Sequence, residues 1–473
     1  MTNVIHWFRQ DLRLVNNPAL FHAAKAGTVL PIYILDDENS KNHQMGAASR
    51  VWLYYSLNKL NESLDGNLAV YKGNAKNIIN DIINKQQIKA IYWNRCYEPW
   101  RTKRDTSIKE NLKQQNITVH SFNGSLLWEP WEILKNDGLP YKVFTHFYKN
   151  AYAKGLSPTN KLLAKPDNLN LLVLKEKNSI DSLNLLPNLA WSKEIIANWQ
   201  VGETAAKEKL AEFLQDKVQD YKEGRNYPAK KRVSCLSPYL HFGEISPLQI
   251  WVATSKIIAD QNLDCFLSEI GWREFSYYLL YHFPTLTEQN LQAKFDQFPW
   301  LKIDDNNCLE NLTKWQQGLT GYPIVDAGMR ELWQTGYMHN RVRMIVASFL
   351  VKNLLIHWHY GRDWFWDCLV DADLANNSAS WQWVAGCGTD AAPYFRIFNP
   401  LTQGEKFDPD GKYTKHYVPE LKNMPDKYLF QPFAAPDHIL AQAGVKLGIN
   451  YPKPIIDLKI SREKALAAYT HSK

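Results

Sequence analysis

Short apolar runs alternate with helix-like segments along the first part of the chain. The runs have the length of buried strands and lie at Val4–Phe8, Val29–Leu35, Leu68–Lys72, Ala90–Asn94 and Val119–Phe122. Segments with helical patterns lie between them, at Ala48–Leu64, Lys76–Gln86 and Thr102–Gln115. Strands that alternate with helices predict a parallel sheet covered on both faces, so we expect an α/β domain over residues 1–130.

The pattern changes twice after this predicted domain. Residues 131–200 mix Asn, Pro, Lys and Leu without a clear period, which predicts a long interdomain linker. From residue 201 the apolar spacing becomes helical, as in Thr204–Tyr221, and Ala347–His359 is nearly apolar throughout, as expected of a buried helix. Few strand signals follow, so we expect an all-helical domain over residues 201–473.

Composition narrows the classes of function. A formal net charge of +7 is compatible with a polyanionic partner, although many basic proteins bind no nucleic acid. The six cysteines are scattered without a CxxC pair, which indicates neither a zinc site nor a disulfide framework and fits a reducing cytoplasm. We find no signal peptide or membrane span, and no GxGxxG or Walker motif, so the α/β domain is not an obvious dinucleotide or NTPase module.

Tryptophans are concentrated in one part of the chain. Ten of the 18 lie between Trp251 and Trp383. Large aromatic side chains bury much area, so composition alone favours core packing. Stacking on a flat ligand or electron transfer between indoles would use the same residues.

Two clusters early in the helical part could bind a polar ligand. Ser234 and Ser237 stand ahead of a probable helix, where a serine is usually a cap but where a diphosphate could also bind. Glu269, Trp272 and Arg273 are spaced to share one helix face. That face predicts either a salt-bridged surface or the lining of a pocket for a flat polar ligand.

Two further clusters follow. Asn340, Arg343 and Met344 share a helix face, which could equally be a basic, solvated helix start. Asp371 and Asp373 could be metal ligands, acid–base groups or acceptors for a bound ring. The stretch has no histidine and no DxDG calcium loop, so we expect no metal. It continues with Asn377, Trp381 and Trp383.

In this order, the clusters resemble the photolyase/cryptochrome family over almost the whole chain. The matching segments are HWFRQDLRLVNNPAL, SCLSPYLHFGEIS, WREF, GYPIVDAGMREL, MHNRVRM, DADLANNSASWQW and YFRIFNPLTQGEKFDPDG. The resemblance is strongest to the class I photolyases for cyclobutane pyrimidine dimers. It implies an N-terminal α/β antenna domain and a C-terminal helical domain that binds FAD.

The resemblance assigns a cofactor site by matched position. Its residues are Tyr221, Val233, Ser234, Leu236, Ser237, Phe266, Glu269, Arg273, Asn340, Arg343, Asp371, Asp373 and Asn377. The first three and the Leu236–Ser237 pair would hold the phosphates and the ribityl end. Asp371 and Asp373 would face the flavin ring, with Asn377 beside N5, and Arg343 would pair with Asp371.

The resemblance also implies light-driven electron transfer to a dimer flipped out of DNA. Met344 points to cyclobutane dimers, because (6-4) photolyases show a histidine-rich stretch where only His339 is nearby here. The implied catalytic set is Glu269, Asn340, Met344, Trp272 and Trp383. An electron relay would run through Trp381, Trp358 and Trp300. The implied DNA-binding residues are Arg225, Trp272, Asn340, Arg341, Arg396 and Gln403.

Several alternatives stay open. The same fold could serve a cryptochrome that senses blue light without repair, or a (6-4) photolyase. Folate-using relatives carry an Asn-Glu pair where Trp100 and Arg101 stand, which argues against the best-known folate site but leaves folate, deazaflavin, flavin or no second pigment open. We expect a cytoplasmic monomer whose partner is damaged DNA and which has no contact with membranes.

Overall fold

The computed structural model describes residues 2–157, 160–187, 190–301, 303 and 306–471. It contains a parallel sheet whose strands are β1 Asn3–Phe8, β2 Thr28–Leu35, β3 Ala69–Lys72, β4 Ala90–Asn94 and β5 Thr118–Phe122. The strand order is β3-β2-β1-β4-β5. Each predicted strand coincides with an observed one to within one residue at each end. The match follows from burial: β1, β2 and β4 lie inside the sheet, where parallel strands read as continuous apolar runs.

Clustering of the chain gives two compact units. The first comprises Met1–Gln219, Ser234–Pro284 and Val370–Asn376, and the second comprises Asp220–Val233, Thr285–Leu369 and Asn377–Lys473. The fold class, a parallel α/β sheet followed by a helical part, is confirmed. The boundaries set at residues 130 and 200 stay a prediction.

The helices of the first unit cover the sheet and continue beyond it. They are α1 Pro18–Ala26, α2 Asp37–Ser40, α3 Ala47–Ser63, α4 Ala75–Gln86, α5 Pro99–Gln114, α6 Phe144–Lys154, α7 Trp191–Ala197, α8 Glu203–Glu212, α10 Ser237–Phe242, α11 Pro247–Thr254 and α12 Gln261–His282. A core on one side of the sheet joins Trp7 and Trp93 to the buried side chains of α4 and α5.

The helices of the second unit are mostly short. They are α9 Tyr221–Gly224, α13 Asn306–Gln317, α14 Pro323–Thr335, α15 Asn340–Ser348, α16 Trp358–Cys368, α18 Pro400–Phe407, α19 Lys412–Tyr417, α20 Asp426–Leu429, α21 Asp437–Ala443 and α22 Leu458–His471. Helix α17, Leu374–Ala385, crosses the division between the units. Among the described residues, no helix is long and apolar enough to cross a membrane.

The segment predicted as a linker is structured in part. It contains α6, a 3-10 turn at Ile180–Leu183 and α7. Phe147 of α6 packs against Phe275 of α12, with ring centroids 5.2 Å apart. The backbone near Leu171 runs beside β2, where Val29 N–H donates to the Asn170 carbonyl at 2.8 Å. These contacts bind the segment to the first unit.

The single buried helix predicted at Ala347–His359 is wrong. Helix α15 ends at Ser348 and passes into a π-helical turn, Phe349–Asn353, before α16 begins at Trp358. The break centres on Leu355, whose φ of 56° is left-handed and incompatible with a continuing helix. The segment is largely buried, so hydrophobicity alone could not show the interruption.

Candidate functional site

The candidate residues fall in both compact units. Those in the first unit are Ser234, Leu236, Ser237, Phe266, Glu269, Trp272, Arg273, Asp371 and Asp373. Those in the second are Tyr221, Arg225, Val233, Trp300, Asn340, Arg341, Arg343, Met344, Trp358, Asn377, Trp381, Trp383, Arg396 and Gln403.

A turn ahead of α10 presents backbone N–H groups. Cys235 has a left-handed φ of 52°, and Leu236 follows in the right-handed region at φ −87° and ψ −7°. Successive left- and right-handed residues can form a concave nest of N–H groups that binds anions. Neither serine caps the helix: Ser234 Oγ accepts from the Leu236 N–H at 3.4 Å within the turn, and the Ser237 hydroxyl donates to Asp371 Oδ2 at 2.6 Å. The geometry therefore does not support the cap interpretation, and the backbone of this turn is of a kind that can bind a diphosphate.

Asp373 forms a buried anionic centre. Its Oδ1 accepts hydrogen bonds from the Asn376 backbone and side-chain nitrogens at 2.8 and 2.7 Å, and its Oδ2 accepts one from the Tyr277 hydroxyl. His241 Nδ1 lies 3.6 Å from the same oxygen. Burial acts to raise the pKa of Asp373, but His241, the Arg273 guanidinium and the Tyr277 hydrogen bond hold it well below its ordinary value. The carboxylate is charged at neutral pH.

Helix α12 displays the predicted polar and aromatic face. Arg273 donates from Nη1 to the Ser125 carbonyl at 2.9 Å, and its guanidinium lies 4.8 Å from the centroid of the Tyr277 ring. Trp272 stacks on Phe144 of α6, with centroids 3.8 Å apart and planes 11° apart. Glu269 is half-buried on the same helix. All three side chains of this face are half-buried, and Trp272 and Arg273 pack against neighbouring residues.

Phe266 and Gly271 show how α12 packs on neighbouring elements. Phe266 lies against Phe213, with ring centroids 4.5 Å apart. A Cβ added to Gly271 would come within 2.4 Å of the Tyr148 ring. Larger side chains are therefore excluded at position 271, and α12 is held close to α6.

Helix α15 begins at a neutral buried histidine. His339 is the N-cap, and its Nδ1 accepts from Arg341 N–H at 3.3 Å. The backbone N–H of His339 donates to Glu331 Oε2 at 3.1 Å, and the Tyr413 hydroxyl donates to the same oxygen at 2.6 Å. Burial, followed by the charges of nearby arginines, lowers the pKa of His339 to about 3, while burial raises that of Glu331 to about 7. This network fixes the start of α15.

The arginines of α15 make different contacts. Arg341 donates to the Asn226 side chain, its Nη1 lies 3.8 Å from Met344 Sδ, and its guanidinium lies 4.4 Å from the centroid of the Phe407 ring. Arg343 donates from Nε to the Met338 carbonyl at 2.7 Å. Its predicted pairing with Asp371 stays a prediction. The structure brings Arg341 and Met344 together, and Asn226 stands next to Arg225 in the chain.

The remaining polar candidates of the second unit differ in exposure. Tyr221 is buried, and the Arg225 guanidinium lies 5.5 Å from its ring centroid. Arg396 is exposed, while Gln403 and Val233 are half-buried. Asn340 opens α15 and is exposed at its N-terminus. Asn377 donates from Nδ2 to the Arg362 carbonyl at 3.0 Å.

The relay tryptophans have partners that the sequence did not reveal. Trp358 is buried, and its ring lies 5.7 Å from His357, which in turn lies 5.0 Å from Trp300. Trp381 packs at 5.0 Å against Phe365 and at 6.3 Å against Trp315. The histidine thus links the rings of the predicted middle and surface members.

Helix α17 packs closely against α16 at Gly361 and also carries Trp383. A Cβ added to Gly361 would lie 2.1 Å from the Trp381 ring, so only glycine allows α16 to approach this closely. Trp383 is half-buried, and its carbonyl accepts from the Ala392 N–H at 3.1 Å.

Besides these ring partners, the residues of this geometry that the sequence did not reveal include Phe144, His241, Tyr277 and Glu331. Tyr277 could have been found, because it follows Arg273 by four residues and so shares its helix face. His241 and Glu331 stand inside segments that carry the family resemblance, although neither was singled out. Phe144 lies far along the chain from Trp272 and gave no signal.

The residues present fit FAD. The nest at Cys235 offers N–H donors suited to a diphosphate, and the charged carboxylate of Asp373 offers an acceptor suited to a ring N–H. Among the described residues, no group of three or more His, Cys, Asp or Glu side chains is arranged to hold a metal ion.

Comparison with known proteins decides the family. The domain described as DNA photolyase matches residues 4–166, and the FAD binding domain of DNA photolyase matches residues 266–471. The deoxyribodipyrimidine photo-lyase of Agrobacterium fabrum is 46% identical over 98% of this chain and 97% of its own length. The chain belongs to the photolyase/cryptochrome family. Cryptochrome-2 of Arabidopsis thaliana, another relative, is 37% identical over 99% of this chain and 79% of its own length.

Solved structures of the photolyase/cryptochrome family share the fold. A class III photolyase from Agrobacterium tumefaciens has a TM-score of 0.93 at 44% identity and covers 100% of this chain and 98% of its own. An archaeal photolyase from Sulfolobus tokodaii with two FAD molecules has a TM-score of 0.82 at 29% identity, over 99% of this chain and 100% of its own. The predictions of a photolyase enzyme and of FAD as cofactor are confirmed. The class I assignment is not confirmed, since the first of these structures is of class III.

Proposed function

We propose that this photolyase repairs cyclobutane pyrimidine dimers in DNA under blue light. Bound FAD, when reduced and excited by light, would donate an electron to the dimer and take it back once the bonds between the two bases have broken. The observation that carries the proposal is the 46% identity, over nearly the whole of both chains, to a relative named deoxyribodipyrimidine photo-lyase. Met344, beside Arg341 at the start of α15, supports the cyclobutane lesion over the (6-4) lesion.

We assign FAD to the residues that the family resemblance matched. The backbone at Ser234–Ser237 would hold the diphosphate, and Asp373 would accept a hydrogen bond from the flavin ring. The Arg273 guanidinium, 4.8 Å from the centroid of the Tyr277 ring, would keep that carboxylate charged. The other proposed contacts are Tyr221, Val233, Phe266, Glu269, Asn340, Arg343, Asp371 and Asn377.

The lesion would be held by stacking and hydrogen bonding. An aromatic face is worth about 1–3 kcal/mol per stacked base in single-strand binding proteins, which offsets part of the cost of flipping the dimer out. Trp272 and Trp383 would supply these faces. Phe144 stacks on one face of Trp272 at 3.8 Å, so the lesion would stack on the other face. Glu269 and Asn340 would donate or accept hydrogen bonds at the dimer.

Cationic side chains would hold the DNA backbone. Arg225, Arg341 and Arg396 would bind phosphates, with Gln403 nearby on the DNA strand. Phosphate contacts fix position and carry no base sequence. Binding is therefore expected to weaken steeply as salt rises.

The three relay tryptophans would pass an electron inward along the protein. The ring distances of 5.7 and 5.0 Å about His357 support the step between Trp358 and Trp300. Trp381→Phe would interrupt this path, so photoreduction of the isolated protein should slow while repair by chemically reduced protein is retained.

A repair assay tests the proposed function. Reduced protein is mixed with a thymine-dimer oligonucleotide and kept under blue light or in the dark, and a matched (6-4) oligonucleotide serves as the second substrate. We expect loss of the cyclobutane dimer in the light alone. Loss of the (6-4) lesion would assign the other repair activity.

A sensor without repair is the second candidate, because Cryptochrome-2 matches 99% of this chain. Binding of flavin and DNA without lesion loss in the light would favour that candidate and contradict repair. An absorption spectrum of the same preparation would identify FAD and any second pigment.

A further inference from the structure

Lys352 is a buried lysine in the π-helical turn that follows α15. Only 1% of its surface is exposed, and its Nζ donates to the Arg396 carbonyl at 3.0 Å. The same nitrogen lies 5.4 Å from the centroid of the Tyr394 ring. Within the described part of the chain, Nζ forms no ion pair with a carboxylate.

Stability does not explain a lysine at this position. Burying an ammonium without an anion is costly, and an apolar side chain of similar length would fill the same space without that cost. Burial, together with the charge of Arg396, lowers the pKa of Lys352 to about 7. The interactions that offset this cost are the hydrogen bond to the Arg396 carbonyl and the contact with the Tyr394 ring, and both lie on the segment that carries Arg396.

The Arg396 carbonyl belongs to a loop that is held by hydrogen bonds to two side chains of one helical segment. Besides the Lys352 bond, Phe398 N–H donates to Ser348 Oγ at 3.3 Å. Ser348 and Lys352 are four residues apart, so they stand on nearly the same face of the segment. The side chain of Arg396 is exposed, while its carbonyl accepts the hydrogen bond from Lys352. The anchors therefore fix the backbone and leave the guanidinium accessible.

We propose that Lys352 is a positioning residue that presents Arg396 to a DNA phosphate. The inference rests on the DNA-binding role of Arg396 in the proposed function. A loop held in its bound geometry loses less conformational entropy when DNA binds, which raises affinity without a new contact. Lys352 acts only through Arg396 and touches no substrate.

A double-mutant cycle on the FAD-loaded protein tests this. The dissociation constant for a duplex with one thymine dimer is measured, by fluorescence anisotropy at several salt concentrations, for Lys352→Met, Arg396→Ala and the double variant. We expect each single change to weaken binding about tenfold. Because Lys352 acts through Arg396, the double variant should bind no more weakly than Arg396→Ala alone.

Two further readouts separate positioning from damage to the fold. In Lys352→Met, flavin content and the repair yield per photon at saturating DNA should equal those of the unaltered protein. The salt dependence should flatten by about one phosphate contact in Lys352→Met as in Arg396→Ala. Lys314→Met is the charge-matched control, because Lys314 is on the surface and paired with Glu310 at 2.6 Å; it should leave binding unchanged.

The outcomes that overturn the inference are distinct. Additive effects in the double variant would show that Lys352 acts independently of Arg396. Unchanged affinity of Lys352→Met beside weakened binding of Arg396→Ala would reject the inference and spare the proposed function. Unchanged affinity of Arg396→Ala would remove Arg396 from the DNA-binding set and the inference with it.

A second anchor keeps the test decisive if Lys352→Met does not fold. Ser348→Ala removes the bond to Phe398 while keeping the size of the residue nearly constant. We expect it to weaken lesion binding about threefold, and to have no effect in the Arg396→Ala background. Additivity there would overturn the anchoring role of this helical segment.

Discussion

Two buried carboxylates, Asp373 in the first unit and Glu331 in the second, are about equally removed from water, with 6% and 7% of their surfaces exposed. Their ionisation differs. The pKa of Asp373 lies well below its ordinary value, whereas that of Glu331 is raised to about 7. Burial penalises the charged form of both, so the difference must come from their partners.

The partners explain the contrast. Asp373 faces the imidazole of His241 and the guanidinium of Arg273, and it accepts hydrogen bonds as well. Glu331 accepts from the Tyr413 hydroxyl and the His339 backbone, which are neutral donors, and the attraction of Arg343 is the weakest of the contributions to its pKa. Burial therefore yields a fixed anion in one place and a group that titrates near neutrality in the other.

The largest expected effect is that of Asp373→Asn. Removing the charge takes away the anion that faces His241 and attracts Arg273, and it weakens the bond from the Tyr277 hydroxyl, which should lower the free energy of unfolding by about 3–5 kcal/mol at pH 7. Flavin should be lost as well, because the proposed ring contact is weakened. Thermal unfolding and the ratio of flavin to protein absorbance measure the two effects.

The control for this change is Asp137→Asn, since Asp137 is an exposed turn residue whose carboxylate accepts from the Leu139 N–H. The depressed pKa of Asp373 also fixes the pH dependence. The stabilisation that the Asp373 carboxylate provides is fully present above its unfolded pKa of about 4, and it is lost as the pH falls through its lower folded pKa. Unchanged stability of Asp373→Asn at pH 7 would show that the carboxylate is not held as an anion.

Glu331→Gln should change the free energy of unfolding less than it changes the dependence of that free energy on pH. Since the folded pKa is raised to about 7, the free energy of unfolding of the wild type should fall between pH 4.5 and 7, by about 3 kcal/mol. The glutamine variant cannot titrate at this position, so its fall should be smaller than that of the wild type by this amount. Glu274 and Glu244, whose pKa values burial also raises, account for a remaining fall in both proteins. Urea unfolding at pH 5 and pH 8 measures it.

The surface variant Glu310→Gln is the control, as Glu310 is exposed and its pair with Lys314 is solvated. It should show the wild-type difference between the two pH values. If Glu331→Gln showed that difference too, another group would be responsible and the contrast with Asp373 would fail.

The same contrast shows what sequence can predict. The sheet was recoverable because β1 and β2 are buried on both faces and read as unbroken apolar runs. The interruption at Leu355 was not, because a buried helix and a buried break carry the same hydrophobicity. Asp373 was a candidate from its spacing to Asp371, but its charge depends on His241, which is distant in the chain and visible only in the fold.

Tyr277→Phe should remove a hydrogen bond to a charged acceptor. Such bonds are worth about 1.5–3 kcal/mol, so the free energy of unfolding should fall by that amount at pH 7. The remaining bonds from Asn376 keep Asp373 partly satisfied, which makes this effect smaller than that of Asp373→Asn. Thermal unfolding measures it, and a loss equal to that of Asp373→Asn would mean that the hydroxyl alone holds the carboxylate.

Tyr413→Phe is the matched change at Glu331 and should have the smallest effect. At pH 6 the carboxyl is largely protonated, so the 2.6 Å bond joins neutral groups and its loss should cost about 1 kcal/mol. At pH 8 the carboxylate is charged and loses a needed donor, so the cost should rise toward that of Tyr277→Phe. The sharpest test of the contrast is the ratio of the stability losses that Tyr413→Phe causes at pH 6 and at pH 8, both measured by urea unfolding. A Tyr413→Phe loss that is independent of pH would place Glu331 in one charge state throughout and remove the distinction between the two sites.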